Sequence, residues 1–434
     1  MELLDRADQN FRSTVRANDP FRSDGKAISG SGKARPESLG SRKTLRAKLT
    51  RALVYACFPL SLSSPGITVA LGLLSFVGIR VWQTDGMPSD LKRAGAWMIS
   101  GYVLLVLVDV LNGGGVDNFR LTAVNYLPVI AQVPFALAMR HADVRRSAID
   151  RAMQLTILIA IISSIIQWTV YGVERPGGLN LNPNPYGLVV AIWSTILLAR
   201  GLEQGRRGVL SVALSLLATI PILLTGSKLV WACTFISFGY VGIRWAADHR
   251  RWRTLAASVP IALVAVLVAA MTVARERLVA FVHEMDQVIQ FGNSQGLSVG
   301  TRLELALSGW RAFWERPLLG YGFAERMQVA RDHGTRGGPD VTGLFHLHND
   351  YITHLVSFGV FGLAFLLIYF GFYFKIALSV TDDAYRRSGV AIILAVALYM
   401  CFEIAFNMDP VSGLMAVHIG LMLAFLRGRR SVAV

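Results

Sequence analysis

The sequence predicts an all-α integral membrane protein of about twelve transmembrane helices, with a large, mostly helical periplasmic loop between the ninth and the tenth. Three observations carry this. Of 434 residues, 53% are hydrophobic and 16% charged, with a mean hydropathy of +0.47, whereas soluble domains carry roughly a quarter charged residues. Apolar runs recur at about the 20-residue length that crosses roughly 30 Å of hydrocarbon. Every second connecting loop is basic, the pattern that Lys and Arg make on the cytoplasmic side.

Residues 1–45 read as a disordered basic cytoplasmic tail: the first 51 residues hold twelve Lys and Arg against six Asp and Glu, with no apolar stretch resembling a signal sequence. A solvated tail is the simpler reading, and contact with anionic lipid the alternative. Residues 46–273 carry spans one to nine, near 46–62, 66–82, 94–112, 121–139, 153–171, 185–202, 208–224, 229–247 and 254–273. Residues 352–434 carry the last three, near 352–374, 388–407 and 411–426, and a short cytoplasmic tail. Only Ser63, Ser64, Pro65 and Gly66 separate the first two, so these are one kinked span or two.

The basic loops hold Lys92 and Arg93; Arg140, Arg145, Arg146 and Arg151; Arg206 and Arg207; Arg250, Arg251 and Arg253; Arg386 and Arg387; and Arg427, Arg429 and Arg430. Their alternation with basic-poor loops puts both termini in the cytoplasm and accounts for the +15 net charge without a nucleic-acid partner. Cys57, Cys233 and Cys401 each lie in an apolar run without metal or redox spacing and read as small core residues.

The same alternation puts residues 274–351 outside. Its eight Arg are balanced by nine Asp and Glu. Leu278, Phe281, Val282, Met285, Val288 and Ile289 recur at helical spacing, describing an amphipathic helix suited to the interface plane. Thr301 followed by Glu304 predicts an N-cap for a second one, with Leu303, Leu307, Trp310 and Trp314 on one face. Pro317 ends it, Leu318 to Phe323 form a glycine-dependent turn, and Gly334 to Pro339 read as a mobile flap.

The chemistry gathers at His346-Leu347-His348-Asn349-Asp350, with His354 one turn on. HxHxD spacing resembles a metal ligand set. Helix capping by Asp350 and interfacial packing of His354 explain those two without a metal, so no metal is assigned. His348 remains as a general base, since an imidazole ordinarily titrates near 6.5. Arg175 and Lys228, in two other external loops, and Arg302 and Arg311 supply cations that suit a diphosphate head group. For Arg175 and Lys228, snorkelling to lipid is the alternative. Arg175 opens an Asn-rich, Pro-stiffened stretch running to Asn184 and Tyr186.

Gly300-Thr301-Arg302, Trp310, Pro317-Leu318-Leu319-Gly320-Tyr321-Gly322-Phe323, and His348-Asn349 running into Leu355 and Phe358-Gly359-Val360-Phe361-Gly362 resemble, in that order, the signature of the O-antigen ligase and polymerase superfamily. The resemblance implies a C-type membrane glycosyltransferase of the bacterial inner membrane, its active site periplasmic, that uses an undecaprenyl-diphosphate-linked glycan as donor. It implies that His348 acts on the acceptor hydroxyl, that Arg302 and Arg175 hold the leaving diphosphate, and that Asn184 and Tyr186 match the family's Asn-rich loop. His346, Asn349, Arg311 and Lys228 complete the expected substrate site. At Ser227-Lys228 many relatives have Ser-Arg, and Lys keeps the charge but loses the planar fork.

The reading is an inverting, cofactor-free polymerase of O-antigen or exopolysaccharide; the alternative is a ligase transferring the glycan to lipid A core. A flippase or chain-length regulator is a partner expected by analogy. The competing class is a transporter of lipid-linked or anionic solutes, in which Asp109, Glu403 and His418 form an ion pathway within the membrane.

Overall fold

A computed structural model describes residues 38–426 except 114, 181, 254–274, 292–297, 336–340, 342 and 407–408. Among the described residues regular structure is all helical, in the order α1 Ser38–Leu60, α2 Ser64–Asp85, α3 Ser89–Leu111, α4 Gly115–Asn125, α5 Leu127–His141, α6 Arg146–Thr169, α7 Pro183–Gln204, α8 Val209–Leu217, α9 Thr219–Leu224, α10 Lys228–Asp248, α11 Arg275–Phe291, α12 Ser298–Glu315, α13 Arg326–Asp332, α14 Asp350–Ser379, α15 Asp383–Met400 and α16 Asp409–Phe425. In hydrocarbon every backbone polar group has to be satisfied within the chain, which a helix achieves locally.

Local chemistry sets the breaks. Ser63 Oγ accepts the Gly66 amide at 3.1 Å and Pro65 occupies the first turn of α2, where its missing N–H costs nothing. Residues 46–82 are thus two helices and not one kinked helix. The first of them starts at Ser38, inside the stretch read as tail.

Seven described segments are long and apolar enough to cross a membrane: Ser64–Asp85, Ser89–Leu111, Asn118–His141, Arg146–Thr169, Pro183–Leu224, Lys228–Asp248 and Asp350–Ser379. The expectation was about twelve, and the difference has physical causes. Pro183–Leu224, 42 residues long, covers two predicted spans and folds back at Gly205–Gly208, where a Cβ on Gly208 would strike the Gly201 backbone. The predicted ninth span lies outside the described residues. The α1 helix opens with a basic segment, α15 ends at Met400 instead of 407, and the apolar part of α16, Pro410–Phe425, is a shorter helix.

The core sits around α7, α15 and α16, which are buried on nearly every side, from Pro185 to Ala199, from Ala384 to Met400 and from Pro410 to Leu423. Helices apolar all round belong in a bundle centre. The surrounding helices turn apolar residues outward, such as Val69, Leu73 and Phe76 on α2 and Leu155, Leu158 and Ile162 on α6, the mark of a lipid-facing surface.

Charges sort to one end. Arg200 near the end of α7 clasps Asp150 with two bonds of 2.9 and 3.0 Å and reaches Asp382 at 3.1 Å. Arg146 shares Asp382 at 2.7 Å, and Arg387 joins Glu203 and Asp248. The ends of α6, α7, α10 and α15 that border basic loops are therefore one face of the bundle. Asn184 lies at the opposite end of α7, about 30 Å away at 1.5 Å per residue.

The segment between α12 and α14 docks on a broken helix. The α14 helix is interrupted at Gly359, where φ is 60° and ψ −147°, a conformation that only glycine adopts freely. Into this break the Pro317–Phe323 turn inserts: Tyr321 N–H donates to Val356 O and Gly322 N–H to Ser357 O, both at 2.9 Å, and Val360 N–H to Pro317 O at 2.8 Å. The glycines of the sequence signature are thus contact surfaces. A Cβ on Gly320 would sit 2.5 Å from Val356 O, and one on Gly359 would collide with Leu318 O. Asp109 and Asn118 brace the turn by accepting the amides of Phe323 and Ala324 at 2.8 and 2.7 Å. Gly359→Ala is expected to destabilise the protein by about 3 kcal/mol, read as a lowered unfolding temperature in detergent with earlier proteolysis of the segment between α12 and α14.

The second amphipathic helix differs from expectation in two ways. It begins at Ser298, a turn before the predicted cap, so Thr301 lies within α12 and Glu304 instead accepts the Thr335 amide at 2.6 Å. Its Leu303, Leu307, Trp310 and Trp314 face points outward, while Leu305, Ser308 and Ala312 are buried. The first amphipathic helix is present as α11; Leu278, Phe281, Val288 and Ile289 lie outside the residues whose side chains are described. Most of the predicted flap, residues 336–339 of Gly334 to Pro339, lies outside the described residues.

Candidate active site

Asn349 is the N-cap of α14: its Oδ1 accepts the Ile352 amide at 2.9 Å while its Nδ2 donates to Cys401 O at 2.9 Å. Asp350 lies one place further in, and its Oδ2 accepts the amides of Ala405 and Phe406 at 2.7 and 3.0 Å. The expected capping role thus belongs to Asn349. Together the two residues bind the start of α14 to the 401–406 turn that follows α15. That turn carries Glu403.

Glu403 is 4% exposed and is the hub of the site. His348 Nδ1 lies 3.2 Å from its Oε2 and His346 Nε2 3.8 Å from the same oxygen. Asn184 Nδ2 donates to Oε1 at 2.8 Å, and Arg302 lies 3.4 Å from that oxygen. Arg175 donates from one terminal nitrogen to Asn184 Oδ1 at 3.0 Å and from Nε to Thr225 O at 2.8 Å. Four segments far apart in the chain thus meet around one carboxylate. Burial pushes the Glu403 carboxyl up, but hydrogen bonds to His346 and His348 and the charges of His348 and Arg302 outweigh it and hold the group well below the usual carboxylate range.

This geometry bears on what His348 could do chemically. With Nδ1–H directed at the carboxylate, Nε2 is left as the proton-accepting nitrogen, the tautomer that a general base needs. His348 also has φ of 50°, left-handed backbone that costs a residue with a Cβ about 1 kcal/mol. It is bracketed by Leu347, fully buried, and by the capping Asn349.

Five of the nine residues expected from sequence, His348, His346, Arg302, Asn184 and Arg175, join this network, and Asn349 positions it. Lys228 is half-buried at the first position of α10, three residues beyond the Thr225 carbonyl that Arg175 binds. Arg311 is engaged elsewhere, bonding His333 O and Thr335 Oγ1 at 3.1 Å each and lying 3.6 Å from Glu304. Tyr186 is buried between α6 and α7, its hydroxyl 2.9 Å from Ser164 Oγ and 3.0 Å from Ala160 O. Both have partners within the chain, away from the Glu403 network.

The ligand-like pattern also changes composition. Of the four residues in the HxHxD reading, His346 and His348 face Glu403, and these three offer donor atoms within 4.8 Å of one another. Asp350 faces the 405–406 amides, and His354 is wholly buried, its Nε2 2.8 Å from the Tyr126 hydroxyl. Glu403 Oε1 already meets Asn184 and the Arg302 guanidinium, a cation where a metal would need anionic surroundings, and only Oε2 faces the two imidazoles.

Residues 213–367 match a family model described as O-antigen ligase. Over those residues the chain is similar to the O-antigen ligase family. That family's activity is of the glycosyltransferase-like ligase and polymerase kind, on lipid-linked glycans in a membrane. The match spans Arg302, His348 and the docking turn; Arg175, Asn184 and Glu403 lie outside it. No curated protein matches the chain.

Glu403 is the residue that sequence reasoning missed as a site member. It follows an apolar run and stands 55 positions from His348, so nothing local marks it. An acid at the boundary of a buried helix was the one available signal.

Proposed function

We propose that this protein is an inverting glycosyltransferase that moves a glycan from an undecaprenyl-diphosphate-linked donor to a sugar hydroxyl, acting as a polysaccharide polymerase. The observation that carries the reading is the His348–Glu403 pair flanked by Arg302, Asn184 and Arg175. His348 Nε2 takes the proton of the acceptor hydroxyl as its oxygen bonds to the anomeric carbon. The carbon–oxygen bond to the diphosphate breaks on the opposite face, and the electron pair leaves with the diphosphate. Glu403 balances the imidazolium that forms. Arg302, Arg175 and Lys228 stabilise the departing anion, the kind of preorganised electrostatics that often dominates catalysis. In this scheme the cations do the work of a metal.

The site end of the bundle is opposite the end that gathers Arg146, Arg200 and Arg387. This supports a periplasmic active site in the bacterial inner membrane, with both termini cytoplasmic. A flippase that delivers the donor and a chain-length regulator are the partners the reaction calls for. The acceptor on this reading is a second lipid-linked glycan; product bearing lipid A core would make the protein a ligase.

The test is transfer between purified donor and acceptor in detergent, with no ion gradient, with and without chelator. Polymer of increasing length, insensitive to chelator, is the expected result. Dependence on a proton gradient would make the protein a transporter, and loss of activity with chelator would turn His346, His348 and Glu403 into metal ligands. In the same assay Arg302→Lys is expected to lose about tenfold or more, since Lys keeps the charge without the fork geometry; full activity would remove the phosphate contact from this position.

A further inference from the structure

The α12 helix is inside out. Its buried side includes Glu304, Ser308 and Gly309 besides Leu305, Ala312 and Phe313, while the exposed side presents Leu303, Leu307, Trp310 and Trp314, 42 to 62% exposed. In water the arrangement would be reversed, and contiguous exposed apolar faces mark interaction surfaces. Trp310 and Trp314 lie with ring centroids 5.5 Å apart, so the aromatic surface is continuous.

The face does not end in solvent. Beyond α12, Leu318 is 67% exposed, and its backbone is seated against Gly359, with Val360 N–H bonded to Pro317 O at 2.8 Å. Val360, Phe361, Leu367, Ile368, Phe374 and Leu378 then form an exposed apolar stripe along the rest of α14 at the spacing of one helical face. From Gly359 to Ser379 that part of α14 has 21 residues, about 30 Å at 1.5 Å per residue, the thickness of the hydrocarbon core. A hydrocarbon core around that part of α14 would have its edge at the Gly359 break, the level from which α12 extends.

We propose that α12 docks on the bilayer surface on the active-site side, its Leu303, Leu307, Trp310 and Trp314 face in the head-group region. Continuity with the lipid-facing stripe of α14 selects lipid over a protein partner, and tryptophan favours this depth because its ring is apolar with one polar edge. The inner face of α12 packs on Leu347, Ile352 and Val356, next to His348, and Arg302 lies in its second turn. Docking thus sets the height of the site over the membrane.

The test is spin labelling of Leu307→Cys and Trp314→Cys, with Gln328→Cys on the exposed face of α13 as the reference, in phosphatidylethanolamine and phosphatidylglycerol vesicles. Signal from the native cysteines is subtracted using the parent protein. Labels at 307 and 314 are expected to be more accessible to oxygen than to a water-soluble nickel chelate, with the order reversed at 328. Equal nickel accessibility at all three positions would overturn the proposal, as would protection from both reagents at 307 and 314, which would mean a protein partner or a second copy. Each label replaces an outward side chain, and retained helicity verifies the fold. The readout needs no turnover, so it stands or falls apart from the transferase reading.

Discussion

His348→Ala is expected to lower transfer by about 10²- to 10⁴-fold, the range that a positioned general base contributes, and to leave the protein folded. The imidazole is half-buried and makes its side-chain contacts with Glu403 and His346, while the fixed points of the region are Asn349 and Asp350, bonded to the 401–406 turn. Removing the ring empties the base position without loosening that turn. The measurement is polymer formed per enzyme in the detergent assay, with the unfolding temperature taken on the same preparation. Unchanged product from a folded variant would sink the base assignment.

Glu403→Gln carries the second large effect. Glutamine keeps an oxygen to accept from Asn184 but takes away the charge that faces His348 and Arg302. Outer partners of a working imidazole are worth about 10- to 100-fold, and a loss in kcat of that order is expected. The split between kcat and stability separates this role from mere packing: the loss is expected in kcat while the unfolding temperature in detergent stays close to that of the parent protein. A loss of activity that tracks a lowered unfolding temperature would make Glu403 structural.

The folded Glu403 carboxyl is held below its ordinary range. Its contribution to stability is therefore full above the unfolded value of about 4.3 and is lost only as pH falls through the lower folded value. Wild-type protein should lose this contribution on acidification below pH ~4, and Glu403→Gln should lack that part of the decline.

Much of the site was legible because its parts are charged or polar residues set in an apolar chain. His348 and Asn349 stand together at a helix start, Arg302 opens a signature, and Arg175 and Asn184 share one loop. What sequence alone could not show was which partners each of these residues meets. Tyr186 follows Asn184 by two positions, yet it points into α6, because successive helical positions lie about 100° apart. Arg311 has the composition of a phosphate ligand but is engaged with Glu304, His333 and Thr335. The same limit applies to the glycines of the signature: their recurrence is visible in the chain, whereas their purpose, letting one backbone seat against another at Gly320 and Gly359, is visible only once the turn meets the broken helix.

By itself the sequence determined that this is an all-helical membrane protein and where its charges fall. Those are decided locally: hydrocarbon demands helices wherever the chain is apolar enough to enter it, and Lys and Arg mark the loops one at a time. Only the tertiary structure decided what His348 faces and which way α12 looks. Glu403 reaches the imidazole because Asn349 and Asp350 bind a turn more than 50 residues away in the chain. The apolar stripe of α12 faces outward because α14 already occupies its other side. Both depend on contacts between distant segments, which the periodicity of any one helix does not encode.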